Sequence, residues 1–355
     1  MKTFLGVLVA LGVVVGIFLL WRFAGESRAQ LLKALQSDFD TGDLDGMITR
    51  ADRVLEGTRD DVDALLAAAT AYAMKWSVGF AERENGAKAI EYADRALQIS
   101  PDHSEALRIK AYAFEIQERY EEAHATYDKA LASDPLNFQA LSNKGHAYDL
   151  QGNHIEAEKF YQRSLQVNPT GEHALLNVAR LYLRQNKFPE AKTALETLGV
   201  TSQNVRFRAE AYQNLAELLR AEMNYAEAKV AIEKSIELDP AVPQAWVTRG
   251  RIRMMGFLDD EGPEEVIEAE IQGYADKAIS LNPNQAAAYT LLYDLYSGVG
   301  DTAKRDLYKT RALEAINKDI TLGQQERTAL RSYLESEITV VESREGGDEA
   351  GSDPR

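Results

Sequence analysis

Histidines, acidic clusters and a set of asparagines and arginines are the residues of this chain that could bind or react. Thr41-Gly42-Asp43-Leu44-Asp45-Gly46-Met47-Ile48 imitates part of a calcium loop, where oxygen ligands alternate and a bidentate glutamate closes the ring. Thr41 stands where the first carboxylate belongs and Asp52 where the glutamate is wanted, so a helix-connecting turn is expected there instead. The five histidines, His103, His124, His146, His154 and His173, form no His-Glu-x-x-His zinc motif. His146 and His173 are the pair to weigh as a metal or pH-responsive site, and they lack a third ligand. Gly298-Val299-Gly300 follows no strand and reads as a turn, not a phosphate loop. No nucleophile elbow presents a serine, and the chain has no cysteine, which removes thiolate chemistry and disulfides. The expectation is a protein that is not an enzyme and uses no cofactor and no metal. The acidic run Asp259-Asp260-Glu261-Gly262-Pro263-Glu264-Glu265 reads as a loop leading into a helix whose positive end favours acids; the functional alternative is an insertion beside a binding face.

The elements that must position such residues begin with a membrane segment. Residues 3–21 contain no charge and are rich in Val, Leu, Phe and Gly. As a helix they would span roughly 28 Å, close to the hydrocarbon thickness of a bilayer, and Trp21, Arg22 and Phe23 supply an interfacial flank. An uncleaved single-pass anchor over 1–25 is expected, with a cleaved signal peptide as the competing reading. Lys2 on one side faces Arg22, Arg28 and Lys33 on the other, so the charge rule leaves orientation nearly balanced. The short N-terminal tail favours an extracytoplasmic bulk, periplasmic in a bacterium, with the cytoplasmic orientation as alternative. Gly12 and Gly16 form a GxxxG pair through which two anchors could pack.

Beyond residue 25 the composition is that of a folded chain. The 355 residues are 45% hydrophobic and 27% charged, and the net charge is −16, which argues against a general nucleic-acid surface. Amphipathic helical patterns follow one another, and the prolines keep time with them. Pro101, Pro135 and Pro169 are spaced at one constant interval; Pro240 and Pro283 follow at two such periods plus three residues and one period plus nine. Each closes a similar phrase, such as Ala130-Leu131-Ala132-Ser133-Asp134-Pro135 and Ser164-Leu165-Gln166-Val167-Asn168-Pro169. A fixed period of about 34 residues is the mark of a helical solenoid.

The period and the phrasing resemble the tetratricopeptide repeat (TPR) family. The clearest unit sets Leu107, Ala111 and Phe114 on a first helix and Tyr120, Ala123, Tyr127, Ala130 and Pro135 on a second. The next repeats it with Leu141, Gly145, Tyr148, Ala157, Tyr161, Ser164 and Pro169. The resemblance implies an all-α, right-handed solenoid of about eight helix-turn-helix repeats over 28–319, after the N-terminal transmembrane helix. Insertions fall at 76–86, 199–205 and 256–271; a capping helix over 320–342 and a disordered acidic tail over 343–355 complete the chain. In such repeats the first helix of each unit lines a concave groove, and one of its positions often carries an asparagine that holds a peptide backbone. That position here reads Asn143, Asn177 and Asn214. The same register turns Arg180, Arg184, Arg220 and Arg251 towards the groove, with Tyr112 and His146 at one end. The carboxylate clamp of chaperone-binding TPR domains is not matched, because His146 and Arg180 stand where asparagine is wanted and its lysines are missing.

The function expected is a membrane-anchored scaffold or adaptor that docks partner protein segments, acidic ones favoured, in the groove to organise an envelope or membrane-associated assembly. The alternatives are a self-assembling homo-oligomer using the anchor and the convex face, and a metal- or pH-responsive module using His146 and His173.

Overall fold

The computed structural model describes residues 28–77, 83–255, 263–319 and 321–345. The described residues hold helices and no strand, and the chain divides into two compact units, Met1–Pro169 and Thr170–Arg355. The first unit contains α1 (Arg28–Thr41), α2 (Leu44–Gly57), α3 (Val62–Ser77), α4 (Arg83–Ile99), α5 (Ser104–Glu115), α6 (Tyr120–Ser133), α7 (Phe138–Leu150) and α8 (His154–Val167). The second contains α9 (Glu172–Arg184), α10 (Phe188–Thr201), α11 (Val205–Ala221), α12 (Tyr225–Leu238), α13 (Pro243–Met255), α14 (Glu264–Leu281), α15 (Ala286–Val299), α16 (Thr302–Ile316) and α17 (Gln324–Glu345). Odd and even helices pack as antiparallel pairs. Within each unit the odd helices also adjoin one another, α1 to α3 to α5 to α7 and α9 to α11 to α13 to α15, so they make a continuous face.

Local chemistry explains the boundaries. A residue before proline is forced out of the helical region, and Asp134, Asn168 and Asp239 take φ of −136°, −130° and −144°. The side chains of Asp134 and Asp239 then accept the N–H two residues on, from Leu136 and Ala241, each at 3.0 Å. Asn137 caps the next helix by accepting from Ala140 N at 2.8 Å. The turn inside each pair whose connection is described uses one left-handed residue. Gly42, Gly152 and Gly300 supply it at φ of 75°, 76° and 81°, as does Asn186 at 57°, whereas Glu118 and Met223 occupy the same place at 59° and 60°. A Cβ in that conformation costs about 1 kcal/mol or more. Met223 is exposed and has little packing to lose, so Met223→Gly is expected to stabilise the protein by about 1 kcal/mol, read as a higher denaturant midpoint. Gly152→Ala should move it the other way.

The small residues of the repeat sit where helices approach. Ala111, Ala179 and Ala216 are fully buried, and a Cβ built on Gly145 would lie 2.9 Å from the Tyr161 ring. The matching large positions, Tyr127, Tyr161, Leu195 and Ile232, fill the space between helices and are all at most 1% exposed. Ser164 and Ser235 donate to the carbonyls of Phe138 and Ala209 at 2.7 and 2.8 Å, tying the second helix of a pair to its first. Successive pairs are stapled by charge: Lys110 to Asp94 at 2.6 Å, Lys144 to Asp128, and Arg249 to Glu233 at 3.0 Å. Lys144 is buried, with its ammonium 4.8 Å from the Phe160 ring centre.

Extra residues lengthen helices. The insertion at 199–205 is taken up by α11, which runs 17 residues against 13 in α9. Of the insertion at 256–271, residues 256–262 lie outside the described residues; Pro263 takes the cap position of α14, and Glu264 and Glu265 fill its first turn, where the helix dipole favours acids. Residues 78–82 of the first insertion are likewise outside.

Helix α17 lays Leu330 and Leu334 against Tyr293, Ala312 and Ile316 of α15 and α16. Its approach is fixed by Asp319, which is fully buried. Asp319 Oδ2 accepts from Ala286 N at 3.0 Å, capping α15, while Oδ1 accepts from Thr321 N at 3.0 Å and Oγ1 at 2.6 Å. Arg327 donates to the carbonyls of Ile316, Asn317, Asp319 and Leu322 at 2.9, 3.2, 2.6 and 3.0 Å. Helix α17 continues to Glu345, into the segment expected to be tail, and the remainder of the tail is outside the described residues. No described helix is long and apolar enough to cross a membrane; the anchor expected over 1–25, with Gly12 and Gly16, lies outside the described residues.

Candidate functional site

The face made by the odd helices carries the residues singled out for binding, and each unit presents its own set. In the first unit, Asn143 is half-buried on α7, and its side-chain amide hydrogen-bonds to no described residue. One turn on, His146 Nδ1 lies 2.6 Å from Glu115 Oε1 of α5. Glu115 is 1% exposed, and its other oxygen accepts from the Tyr127 hydroxyl at 2.7 Å. Burial, followed by the Glu115 charge and the hydrogen bond to it, pushes the Tyr127 phenol well above its ordinary range, so the hydroxyl remains a donor. Tyr112 packs half-buried against Ala73, Ala89 and Ala113. Here the odd-helix face rests on a buried acid held by an imidazole and a phenol.

In the second unit, the Asn177 amide on α9 is also half-buried without a described hydrogen-bond partner, whereas Asn214 Nδ2 returns to the Glu210 carbonyl of its own helix at 2.9 Å. One repeat on from Asn214 the column continues as Thr248, and one repeat before Asn143 it reads Ile109, which is buried. The arginines are not bare. Arg180 is paired with Glu210. Arg220 Nε donates to Glu217 Oε2 at 2.8 Å. Arg251 Nη1 faces Glu217 Oε1 at 3.7 Å. Arg184 lies exposed at the end of α9. Glu217 also accepts from Thr248 Oγ1 at 2.6 Å. Burial alone would raise its pKa, but the Arg220 charge, the Thr248 hydrogen bond and the Arg251 charge together hold it below the ordinary carboxylate range.

Glu210 and Glu217 are not among the residues that sequence reasoning singles out. A signal for Glu217 exists all the same: the register column that gives Tyr112, His146, Arg180 and Arg251 has Glu217 in the intervening repeat, one lengthened repeat after Arg180 and one ordinary repeat before Arg251. The surplus of positive charge on this face is therefore smaller than the arginines alone imply.

The other chemistry-bearing residues have structural partners. Asp43 caps α2 by accepting from Gly46 N at 2.8 Å, Asp45 pairs with Lys75 at 2.6 Å, and Asp52 accepts from the Tyr92 hydroxyl at 2.9 Å, so the calcium-like segment is a helix connection. His173 stands edge-on to Phe207, ring centres 4.8 Å apart. Among the described residues no group of three or more acids and histidines is arranged to hold a metal.

This arrangement, helix pairs recurring at a constant period with a polar face of first helices, is that of a tetratricopeptide repeat protein. Tetratricopeptide repeat models match residues 79–131, 138–170 and 209–242, and the chain belongs to that family. Among solved structures, it is similar to the Cut9–Hcn1 hetero-tetramer of the APC/C, with a TM-score of 0.61 and 12% identity over 87% of this chain and 56% of the other. It is similar to a tetratricopeptide repeat protein from Parabacteroides merdae, with a TM-score of 0.52 and 19% identity over 75% and 98%. Yeast Tom70 gives a TM-score of 0.52 at 17% identity over 86% and 61%. The chain thus spans little more than half the length of the Cut9–Hcn1 chain it matches. At these identities the likeness is one of fold. No curated protein matches the chain.

Proposed function

We propose that this protein is a membrane-anchored scaffold that docks segments of partner proteins on the odd-helix face of each unit and so organises an envelope or membrane-associated assembly. The observation that carries the reading is the pair of half-buried amides, Asn143 in one unit and Asn177 in the other, that find no hydrogen-bond partner among the described residues. An amide offers both a donor and an acceptor, the complement of an extended backbone, and neither amide spends that capacity on a described residue. The similar solved folds include a component of a hetero-tetramer, Cut9–Hcn1, which is consistent with a scaffold. The anchor is proposed from the uncharged run at 3–21 alone, with the repeats on the extracytoplasmic side. Anchoring would confine docking to the membrane surface and raise the effective concentration of partners.

Crosslinking in cells with mass spectrometry, run on the full-length protein beside an Asn143/Asn177/Asn214→Ala variant, tests this. Defined partners should be recovered with the parent and lost with the variant. An unchanged partner set would overturn the docking role of this face.

A further inference from the structure

Glu217 is an acid in the midst of the arginines that the docking surface would use. One carboxylate stands against two guanidinium groups. Arg220 contributes a single hydrogen bond from Nε, and Arg251 only a 3.7 Å ion pair. A guanidinium carries five N–H donors, so most donors of this pair have no acceptor among the described residues, although both side chains are only 27% exposed. Partly desolvated donors of this kind favour an anion, and among the described residues the two arginines leave one positive charge uncompensated. Glu217 itself accepts from the Thr248 hydroxyl at 2.6 Å, and its surroundings favour the ionised form.

We infer that Arg220 and Arg251 receive an Asp or Glu carboxylate of the docked partner segment, and that Glu217 is an internal counter-ion with which that carboxylate competes. This rests on the docking reading above and adds the partner's chemistry. Glu217 keeps the arginine pair in place while the face is empty, and its charge weakens the hold on an acidic partner. Removing that charge without removing the acceptor oxygen therefore tightens binding, the reverse of what mutation of a plain salt bridge would give.

The test uses the full-length protein in lipid nanodiscs and two fluorescein-labelled twelve-residue probes. One is an extended Gly/Ser peptide bearing three Glu residues, and the other has Gln in place of each Glu. Fluorescence anisotropy is expected to show the acidic probe bound more tightly than its amide counterpart. Arg251→Ala should weaken the acidic probe by about tenfold or more, and Glu217→Gln should tighten it several-fold while leaving the amide probe unchanged. Arg251→Lys, which keeps the charge and loses the fork, should fall between. Circular dichroism establishes that each variant is folded. Equal binding of the two probes, no binding of either, or an acidic probe that Glu217→Gln leaves unchanged or weakens would overturn the proposal. The crosslinking comparison with the asparagine variant decides the docking reading independently, since partners lost there with no carboxylate preference here would leave docking standing and this inference fallen.

Discussion

Tyr127→Ala is expected to destabilise the protein by about 4 kcal/mol, the range for deleting a large buried aromatic from a packed core. Tyr127 is fully buried between α5, α6 and α7, beside Ala111, Phe114, Ala123 and Ala147. The substitution opens a cavity and also takes from Glu115, 1% exposed, one of the two donors that hold its carboxylate. The two contributions separate in a series. Tyr127→Phe keeps the ring and deletes only the hydroxyl, so it should cost about 2 kcal/mol, the cost of removing a hydrogen bond to a charged acceptor. Urea unfolding monitored by circular dichroism measures both. If Tyr127→Phe is neutral, the Glu115 contact contributes nothing and the position is packing alone. A double-mutant cycle with Glu115→Gln should then show coupling only if the hydrogen bond matters.

The second large effect is expected at the C-terminal end of the array. Among the described residues, Asp319 is the single acceptor for the first N–H of α15 and for both donors of Thr321. Asp319→Ala leaves the buried Ala286 N–H without its cap and frees the segment that leads into α17, at a cost of about 3 kcal/mol. Repeat arrays depend on a terminal helix to cover the last apolar face, so the loss should be local before it is global. Hydrogen exchange is expected to accelerate at Ala286 and through α17 ahead of α5–α8, and limited proteolysis should cut between α16 and α17. Asp319→Asn, which keeps an acceptor for one side of the pair, should fall midway. Uniform exchange in Asp319→Ala would show that the carboxylate does not fasten this helix.

These sites differ in how far residue spacing reveals them. Pro135 and Pro169, the alanines and glycines that recur once per repeat, and the buried Tyr127 and Tyr161 are all evident from the chain, because helix ends, close approaches and core positions are dictated by properties of single residues repeated in register. The calcium-like segment at 41–52 is discounted for the same reason: Gly42 and Asp43 fall at the turn and cap positions of the repeat. Spacing does not reveal the pairing of charges. Glu217 meets Thr248 and Arg251 across neighbouring first helices, one repeat further along the chain, and Glu115 meets His146 in the same way. Neither pairing follows from residue type, since an arginine on a helix face is as readily solvated as paired. Asp319 gives no sign of itself in the sequence, being one acid in a short connection whose partner N–H is 33 residues upstream.

Repeat period, helix boundaries and small and large core positions are thus set by the chain alone, because each follows from backbone preference and local hydrophobic spacing, whereas the asparagine column is implied by the family resemblance. Packing of one helix on the next decides which arginines are neutralised, which amides are left with no described partner, and which acids are buried. Those are properties of distance between side chains far apart in the chain, and electrostatic and hydrogen-bond energies depend on that distance more steeply than on identity.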